Sequence, residues 1–295
     1  MPNTHHIAFR SNRVRDIVEQ MRHELLPLYG PGETAALTER LFEAFLGWDR
    51  VRLLLGKDDT VNQSDLLRFH WALHDLKQYR PVQHIVGYTD FCGCRIEVSP
   101  EVLIPRPETE QMVRWIVDNL TPKAATPQVA DLCTGSGCIA IALKKAWPHA
   151  TVNATDLSAT ALEVAARNAK NNGLHVAFAH DDVLHPTLPC AACDLMVSNP
   201  PYVRQSERPA MSRNVLDYEP HTALFVPDDD PLLFYRAIAD LADTRLKADG
   251  CLVVEINEAL GEATMQMLHR HGFRSELHRD FRDRDRWIVA TREER

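Results

Sequence analysis

Val129-Ala-Asp-Leu-Cys-Thr-Gly-Ser-Gly137, continued by CIAIALKKAW (Cys138–Trp147) and ATVNATD (Ala150–Asp156), decides the fold. A short apolar run breaks into glycines, a segment with one apolar face follows, and a second β-type run ends on an acid. That is strand, turn, helix, strand. Outward from it the alternation continues. SATALEVAARNAKNNG (Ser158–Gly173) reads as a helix capped by Ser158 and stopped by Gly173, and HVAFAH (His175–His180) as a third strand. CDLMVS (Cys193–Ser198) is a fourth strand. A helix over Leu232 to Leu246, strand CLVVEI (Cys251–Ile256), a helix over Glu262 to His271, and two closing strands near Phe273–Leu277 and Trp287–Thr291 follow. Strands buried on both faces and alternating with helices form an α/β, doubly wound, mostly parallel sheet. Such sheets bind ligands beyond the C-terminal strand ends, at the switch point. With no helix between them, the two closing strands make the last one antiparallel.

The N-terminal side has a different period. Val14, Ile17, Val18, Met21 and Leu25 form one helical face ending near Gly30. Thr34 is expected to cap a second helix stopped by Gly47, and Ser64 to open a third. Residues 82 to 104, with Gly87, Gly93 and Pro100, read as a β-hairpin joining the halves. Pro107 starts a helix through Met112, Val113 and Ile116. The expected domains are a helical one over 1–85, a hairpin linker over 86–104 and the sheet domain over 105–295, in line with a length near two domains.

Lys plus Arg is 33 against 41 Asp plus Glu, a net charge of −8. A free-standing nucleic-acid binder would carry the opposite balance. No run approaches a membrane span, and the N-terminus has no signal-type apolar core, so a cytoplasmic protein is expected. The seven cysteines lack paired metal spacing; Cys190-x-x-Cys193 has no second pair, and buried reduced thiols are the commoner case. His70 and His74, one helical turn apart, have no acidic third ligand in view, and no metal site is expected.

The glycine loop is neither the dinucleotide fingerprint nor a phosphate-gripping loop, since no Lys follows its glycines. It suits a phosphate-free ligand held by backbone. Asp156, at the end of the second strand, is placed to accept hydrogen bonds from vicinal ribose hydroxyls, and Asp181 or Asp182 to reach an adenine amino group. A nucleoside without phosphate on this fold points to S-adenosylmethionine. The segment is similar to the D-x-G-x-G-x-G loop of class I methyltransferases, with Cys133 in place of the first glycine.

The most specific signal is Asn199-Pro200-Pro201-Tyr202, directly after the fourth strand. The prolines stiffen the backbone and remove its N–H donors. The Asn199 side-chain oxygen and the Pro200 carbonyl are expected to accept both hydrogens of one planar –NH2 group, with Tyr202 as a wall against it. This motif is shared by adenine-N6, cytosine-N4 and glutamine-N5 methyltransferases. RPVQHIVGYTDFCG, VLIPRPETE, DLCTGSGCIAIAL, VSNPPYV, VLDYEPHTAL and DRDRWIVA together resemble the release-factor glutamine N5-methyltransferases, the HemK/PrmC family, over about Arg80 to Ala290. Sister enzymes acting on ribosomal protein L3 share the loop cysteine. They tend to carry PRSP where this chain has Pro105-Arg-Pro-Glu-Thr-Glu.

The resemblance implies a seven-stranded class I methyltransferase sheet and a helical substrate-docking domain. It also implies cofactor contacts from Asp131, Thr134, Gly135, Gly137, Asp156, Asp182 and Asn199. Asn199, Pro200 and Tyr202 would be catalytic, and these three with Pro201 would bind substrate. The substrate it implies is the glutamine of the Gly-Gly-Gln tip of class 1 peptide-chain release factors, with no membrane or direct nucleic-acid partner. Where many members have a glycine after the fifth-strand acid, this chain reads Glu255-Ile-Asn257, and no role is assigned there. Two rival readings remain open at this point. One is a nucleic-acid amino-methyltransferase, with Arg204, Arg208 and Arg213 just beyond the motif. The other is a catalytically silent scaffold.

Overall fold

The computed structural model describes residues 9–121, 123–187 and 192–293, so Cys190 lies outside the described residues. The chain divides into two compact units. One comprises Met1–Gly87 together with Ser212–Tyr218, the other Tyr88–Met211 together with Glu219–Arg295.

In the first unit, α1 (Val14–Leu46) breaks at Gly30, whose φ of 71° and ψ of 174° are non-helical. Pro31 has no N–H to continue the ladder and restarts the helix from its first turn. Thr34 is therefore already inside the helix rather than its cap: it is buried and its hydroxyl has no hydrogen-bond partner among the described residues. Gly47 does end α1, in the left-handed conformation at φ 68°. The third expected helix is present as α3 (Gln63–Lys77), following α2 (Arg50–Leu55), but its cap is Asn62, which accepts from the Asp65 N–H, and not Ser64. Asn at this position is among the best of caps, and it starts the helix before Ser64 is reached. Residues Val82–Val86 form a short helix, α4, where a hairpin strand was expected. Val14, Ile17, Leu41, Phe42, Phe69 and Leu76 build this unit's core.

The hairpin proper is β1 (Tyr88–Phe91) with β2 (Cys94–Glu97), turning through Cys92 and Gly93, both at positive φ. It belongs to the second unit. Pro107 is the first residue of α5 (Pro107–Asn119), as the sequence predicts.

The main sheet contains β3 (Gln128–Leu132), β4 (Thr151–Asp156), β5 (Ala177–His180), β6 (Cys193–Ser198), β9 (Leu246–Glu255), β10 (Phe273–Arg279) and β11 (Asp285–Arg292). Its order is β10-β11-β9-β6-β3-β4-β5. All pairings are parallel except those of β11, which runs antiparallel to both neighbours. The short strands β7 (Val203–Arg204) and β8 (Phe225–Val226) pair separately, flanking α8 (Arg213–Leu216). Helices α5, α6 (Cys138–Ala146) and α7 (Ala159–Asn171) contribute Met112, Ile139 and Val164 to one core. Helices α9 (Leu233–Arg245) and α10 (Gly261–Arg270) contribute Ile238 and Met267 to a second. Each fully buried aliphatic side chain of these layers contributes about 1.5–3 kcal/mol relative to exposure.

The order reverses between β3 and β6, which makes their C-terminal ends the switch point. Register sets which residues meet there. Leu132 aligns with Ser198 on one side and Thr155 on the other. The residues just past that level are the glycine loop, Asp156 and Asn199. No helix among the described residues is long and apolar enough to cross a membrane.

Candidate active site

The loop after β3 turns tightly because three alternate residues take left-handed backbone: Cys133 (φ 58°), Gly135 (φ 55°) and Gly137 (φ 79°). For Cys133 this is a strained choice, one that a glycine would make without cost. A Cβ on Gly135 would enter open space, on the wall of a cavity of about 390 Å3. Gly137 is different. A Cβ there would lie 3.0 Å from the Ala165 Cβ, so this glycine lets α6 approach α7, and it does not line the cavity. Gly137→Ala is expected to lose about 1–2 kcal/mol from left-handed strain alone, read as a lower melting temperature.

Asp131 is fully buried and does not line the cavity either. Its Oδ2 accepts from the Thr134 hydroxyl at 2.5 Å and from the Ala140 N–H at 3.1 Å, bracing the loop from below. Its Oδ1 has no hydrogen-bond partner among the described residues. Burial pushes its pKa up to about 7, against the pull of those two donors. Thr134 itself lines the cavity.

Asp156 ends β4 on the same wall. Its Oδ2 accepts from the Gly135 N–H at 2.8 Å and its Oδ1 from the Ser158 N–H at 2.9 Å. Each oxygen keeps a further lone pair. Burial raises its pKa, with the Ser158 and Gly135 amides opposing. The helix cap is Ser158, whose hydroxyl accepts from Ala161 N–H, so Asp156 is not needed for that task. Asp181 and Asp182 also line the cavity. Asp182 accepts from the Leu184 N–H and contacts His185 Nδ1 at 3.1 Å; Asp181 accepts from the Thr187 N–H and hydroxyl. Burial would raise the Asp182 pKa, but His185 and the Leu184 amide outweigh it and the net shift is downward.

Opposite the glycine loop the wall is Asn199 and Pro201. Ser198 anchors the strand end by donating to the Leu132 carbonyl at 2.7 Å. Pro200 and Tyr202 do not line the cavity, which corrects the expectation that Tyr202 is its wall. The Tyr202 hydroxyl instead donates to Glu255 Oε1 at 2.9 Å, while its ring packs on the core that holds Ile238 and Met267. Burial, and after it the Glu255 charge, raises the Tyr202 pKa well above the usual tyrosine range, so the phenol stays protonated.

Residues outside the expected set complete the site. Thr109, on the first turn of α5, lines the cavity and accepts from Asn199 Nδ2 at 3.1 Å. Arg106, also on the wall, donates at 2.6 Å to Glu219, a buried carboxylate that additionally accepts from the Ile104 N–H. Burial raises the Glu219 pKa, with Arg106 pulling the other way. Asn257 donates to the Tyr202 carbonyl at 3.1 Å and to Glu207. The signal for Thr109, Arg106 and Glu219 lay in PRPETE and EPHTAL, motifs that carried the resemblance and had no chemistry attached to them.

The residues present fit a phosphate-free nucleoside cofactor. Among those lining the cavity, Arg106 is the one basic side chain and is committed to a carboxylate, whereas Asp156, Asp181 and Asp182 supply acceptors. The left-handed Gly135 gives a cradle that a side chain would fill.

The family of the PrmC N-terminal domain matches residues 18–87, and that of the methyltransferase small domain matches residues 109–218. The chain is 39% identical over 281 residues to a release factor glutamine methyltransferase from Flavobacterium psychrophilum, covering 94% of this chain and 99% of that one. It is also 39% identical to the protein of the same name from Bacteroides thetaiotaomicron, with the same coverage. Among solved structures, the hMettl16 catalytic domain in complex with MAT2A 3'UTR hairpin 6 shares the fold at TM-score 0.51 and 16% identity, over 78% of this chain and 82% of that one. With matches this long at this identity, the chain belongs to the release factor glutamine methyltransferase family.

Proposed function

We propose that this protein transfers the methyl group of S-adenosylmethionine to the side-chain N5 of the glutamine in the Gly-Gly-Gln tip of class 1 peptide-chain release factors. Asn199 carries the reading: a carboxamide standing at the end of β6, on the wall of the same cavity as the glycine loop. Asp156 would hold the ribose hydroxyls, Gly135 and Thr134 the methionine portion, and Asp182 the adenine edge. When bound, the cofactor supplies a methyl group already activated on a sulfonium.

The chain's own residues then have chiefly to orient the acceptor. An amide nitrogen is a poor nucleophile, because its lone pair is delocalised into the carbonyl. The Asn199 side-chain oxygen accepts one of its hydrogens and aims the nitrogen, at a near-attack distance of roughly 3–3.5 Å. The same acceptor favours the positive charge that grows on nitrogen. No strong base is required; the proton leaves after transfer, to water or to the Asn199 oxygen.

The test is mass spectrometry of a release factor incubated with the protein and S-adenosylmethionine. One added methyl, confined to the glutamine of the Gly-Gly-Gln peptide, is the expected result. Parallel incubations with tRNA and DNA and a tritiated donor cover the nucleic-acid rival. Label on those polymers with an unmodified release factor would refute the assignment.

A further inference from the structure

Behind Asn199 lies a chain of polar contacts that reaches a buried carboxylate. Asn199 Nδ2 donates to Thr109 Oγ1 at 3.1 Å. Thr109 donates to Glu255 Oε2 at 2.6 Å, and Tyr202 donates to Glu255 Oε1 at 2.9 Å. Glu255 ends β9 and is 1% exposed, Thr109 2%. These groups come from three separate segments: the start of α5, the loop after β6 and the end of β9. Burial raises the Glu255 pKa, with the Thr109 and Tyr202 hydroxyls and then the Arg286 charge pulling the other way.

The direction of each bond follows from donor counting. One hydroxyl donates to each Glu255 oxygen, and a carboxylate held in this way consumes the single hydrogen of each. Thr109 then has nothing left to offer Asn199 except a lone pair. A primary amide facing that lone pair must present its nitrogen; turned by 180°, it would set oxygen against oxygen with no hydrogen between. The Asn199 oxygen is thereby left free as an acceptor, and among the described residues no protein group donates to it.

We propose that Thr109 and Glu255 are positioning residues that fix which end of the Asn199 amide faces the acceptor substrate. The proposal rests on the reading that Asn199 grips the substrate –NH2 group, and it adds the device that selects the gripping orientation. Asparagine is otherwise a poor choice for such a clamp, since its two ends are nearly equal in size and its terminal torsion is broad and roughly two-fold. A clamp that turned over would present N–H groups to N–H groups. Glu255 supplies the polarity at one remove, without placing a negative charge in the cavity. Its second oxygen, through Tyr202, ties the far end of the same Asn-Pro-Pro-Tyr turn.

A double-mutant cycle tests this, read as turnover on release factor and as S-adenosylmethionine affinity by calorimetry. Thr109→Val keeps the shape and removes the relay. Turnover is expected to fall on the order of tenfold, the scale of one lost hydrogen bond, with cofactor affinity within about twofold of wild type because the relay bears on the acceptor side. Thr109→Ser, which keeps the hydroxyl, recovers most of the turnover. In an Asn199→Ala background, Thr109→Val costs nothing further, since its only route of action is gone. Glu255→Gln takes the place of Thr109→Val should the latter fail to fold, with the same expectation. An equal loss in both backgrounds, or wild-type turnover from Thr109→Val, would overturn the relay. Wild-type turnover from Asn199→Ala alone would instead remove the clamp itself, and the relay with it.

Discussion

Asn199→Ala should lower turnover about a hundredfold or more, the scale seen when one preorganised polar group is removed from a reacting centre. S-adenosylmethionine affinity should stay near wild type. The separation of the two effects follows from the sheet. Asn199 sits beyond β6, and its neighbour Ser198 is bonded to the Leu132 carbonyl, so the loop start is held by strand contacts that the substitution leaves intact. Pro200 and Pro201 hold the next turn without help from the side chain. On the proposed reading, what is lost is the acceptor for the substrate amide, leaving the nitrogen free to swing. Asn199→Asp sharpens the measurement. It keeps an acceptor oxygen but has no N–H for Thr109, and it sets a charge close to the cofactor sulfonium; binding is then retained while transfer falls. A calorimetric titration beside a steady-state assay separates these outcomes. Wild-type methylation by Asn199→Ala would end the clamp mechanism.

The second large effect is on binding. Asp156→Ala should weaken S-adenosylmethionine by ~1.5–3 kcal/mol, the range for hydrogen bonds to a charged group. Two causes combine here. On the proposed reading the carboxylate loses its ribose partners, and the glycine loop loses the brace at the Gly135 N–H. Asp156→Asn parts them. Its single oxygen and its amide preserve the packing and one backbone contact, but its –NH2 cannot accept from a ribose hydroxyl. If the brace were the whole role, Asn would bind nearly as well as Asp. If the ribose contact dominates, Asn binds nearly as poorly as Ala. An unchanged dissociation constant in Asp156→Ala would show that the residue only shapes the turn.

The parallel strands were legible because a strand buried on both faces is nearly uniform in the sequence, as in Leu195-Met-Val197. Asn199 stood out because two prolines after a buried strand have few uses, and it lies on the cavity wall. Elements of five or six residues, α2 and α4, were not, since they complete less than two turns and show no period. Caps failed where two candidates competed within two residues, as with Asn62 and Ser64. Glu255 and Thr109 stand 146 residues apart, and no local pattern couples them. Each has a dull reading on its own, an acid ending a strand and a threonine in the first turn of a helix. The sheet order brings them together, and only then does the direction of the hydrogen bonds appear. Tyr202 misled for a related reason: a ring next to a recognition motif suggests stacking, whereas its hydroxyl had a buried partner more than fifty residues away.

Ser212–Tyr218, lying far along the chain, packs as part of the N-terminal helical unit. The Tyr218 hydroxyl donates to the Gln78 carbonyl at 2.8 Å, and the Arg213 guanidinium lies 4.7 Å from the centre of the Tyr79 ring. The helical unit is consequently not a cassette. A recombination event that exchanged residues 1–87 between two relatives would deliver the helices without the peptide that completes them, and the recipient's own peptide would have to fit a foreign surface. The Tyr218 contact would survive such a graft, because it reads a main-chain carbonyl and is indifferent to the side chain there. The Arg213 contact would not, unless an aromatic ring arrived at the position of Tyr79. Chimeras between members should therefore inherit along a discontinuous boundary, with 212–218 travelling alongside 1–87.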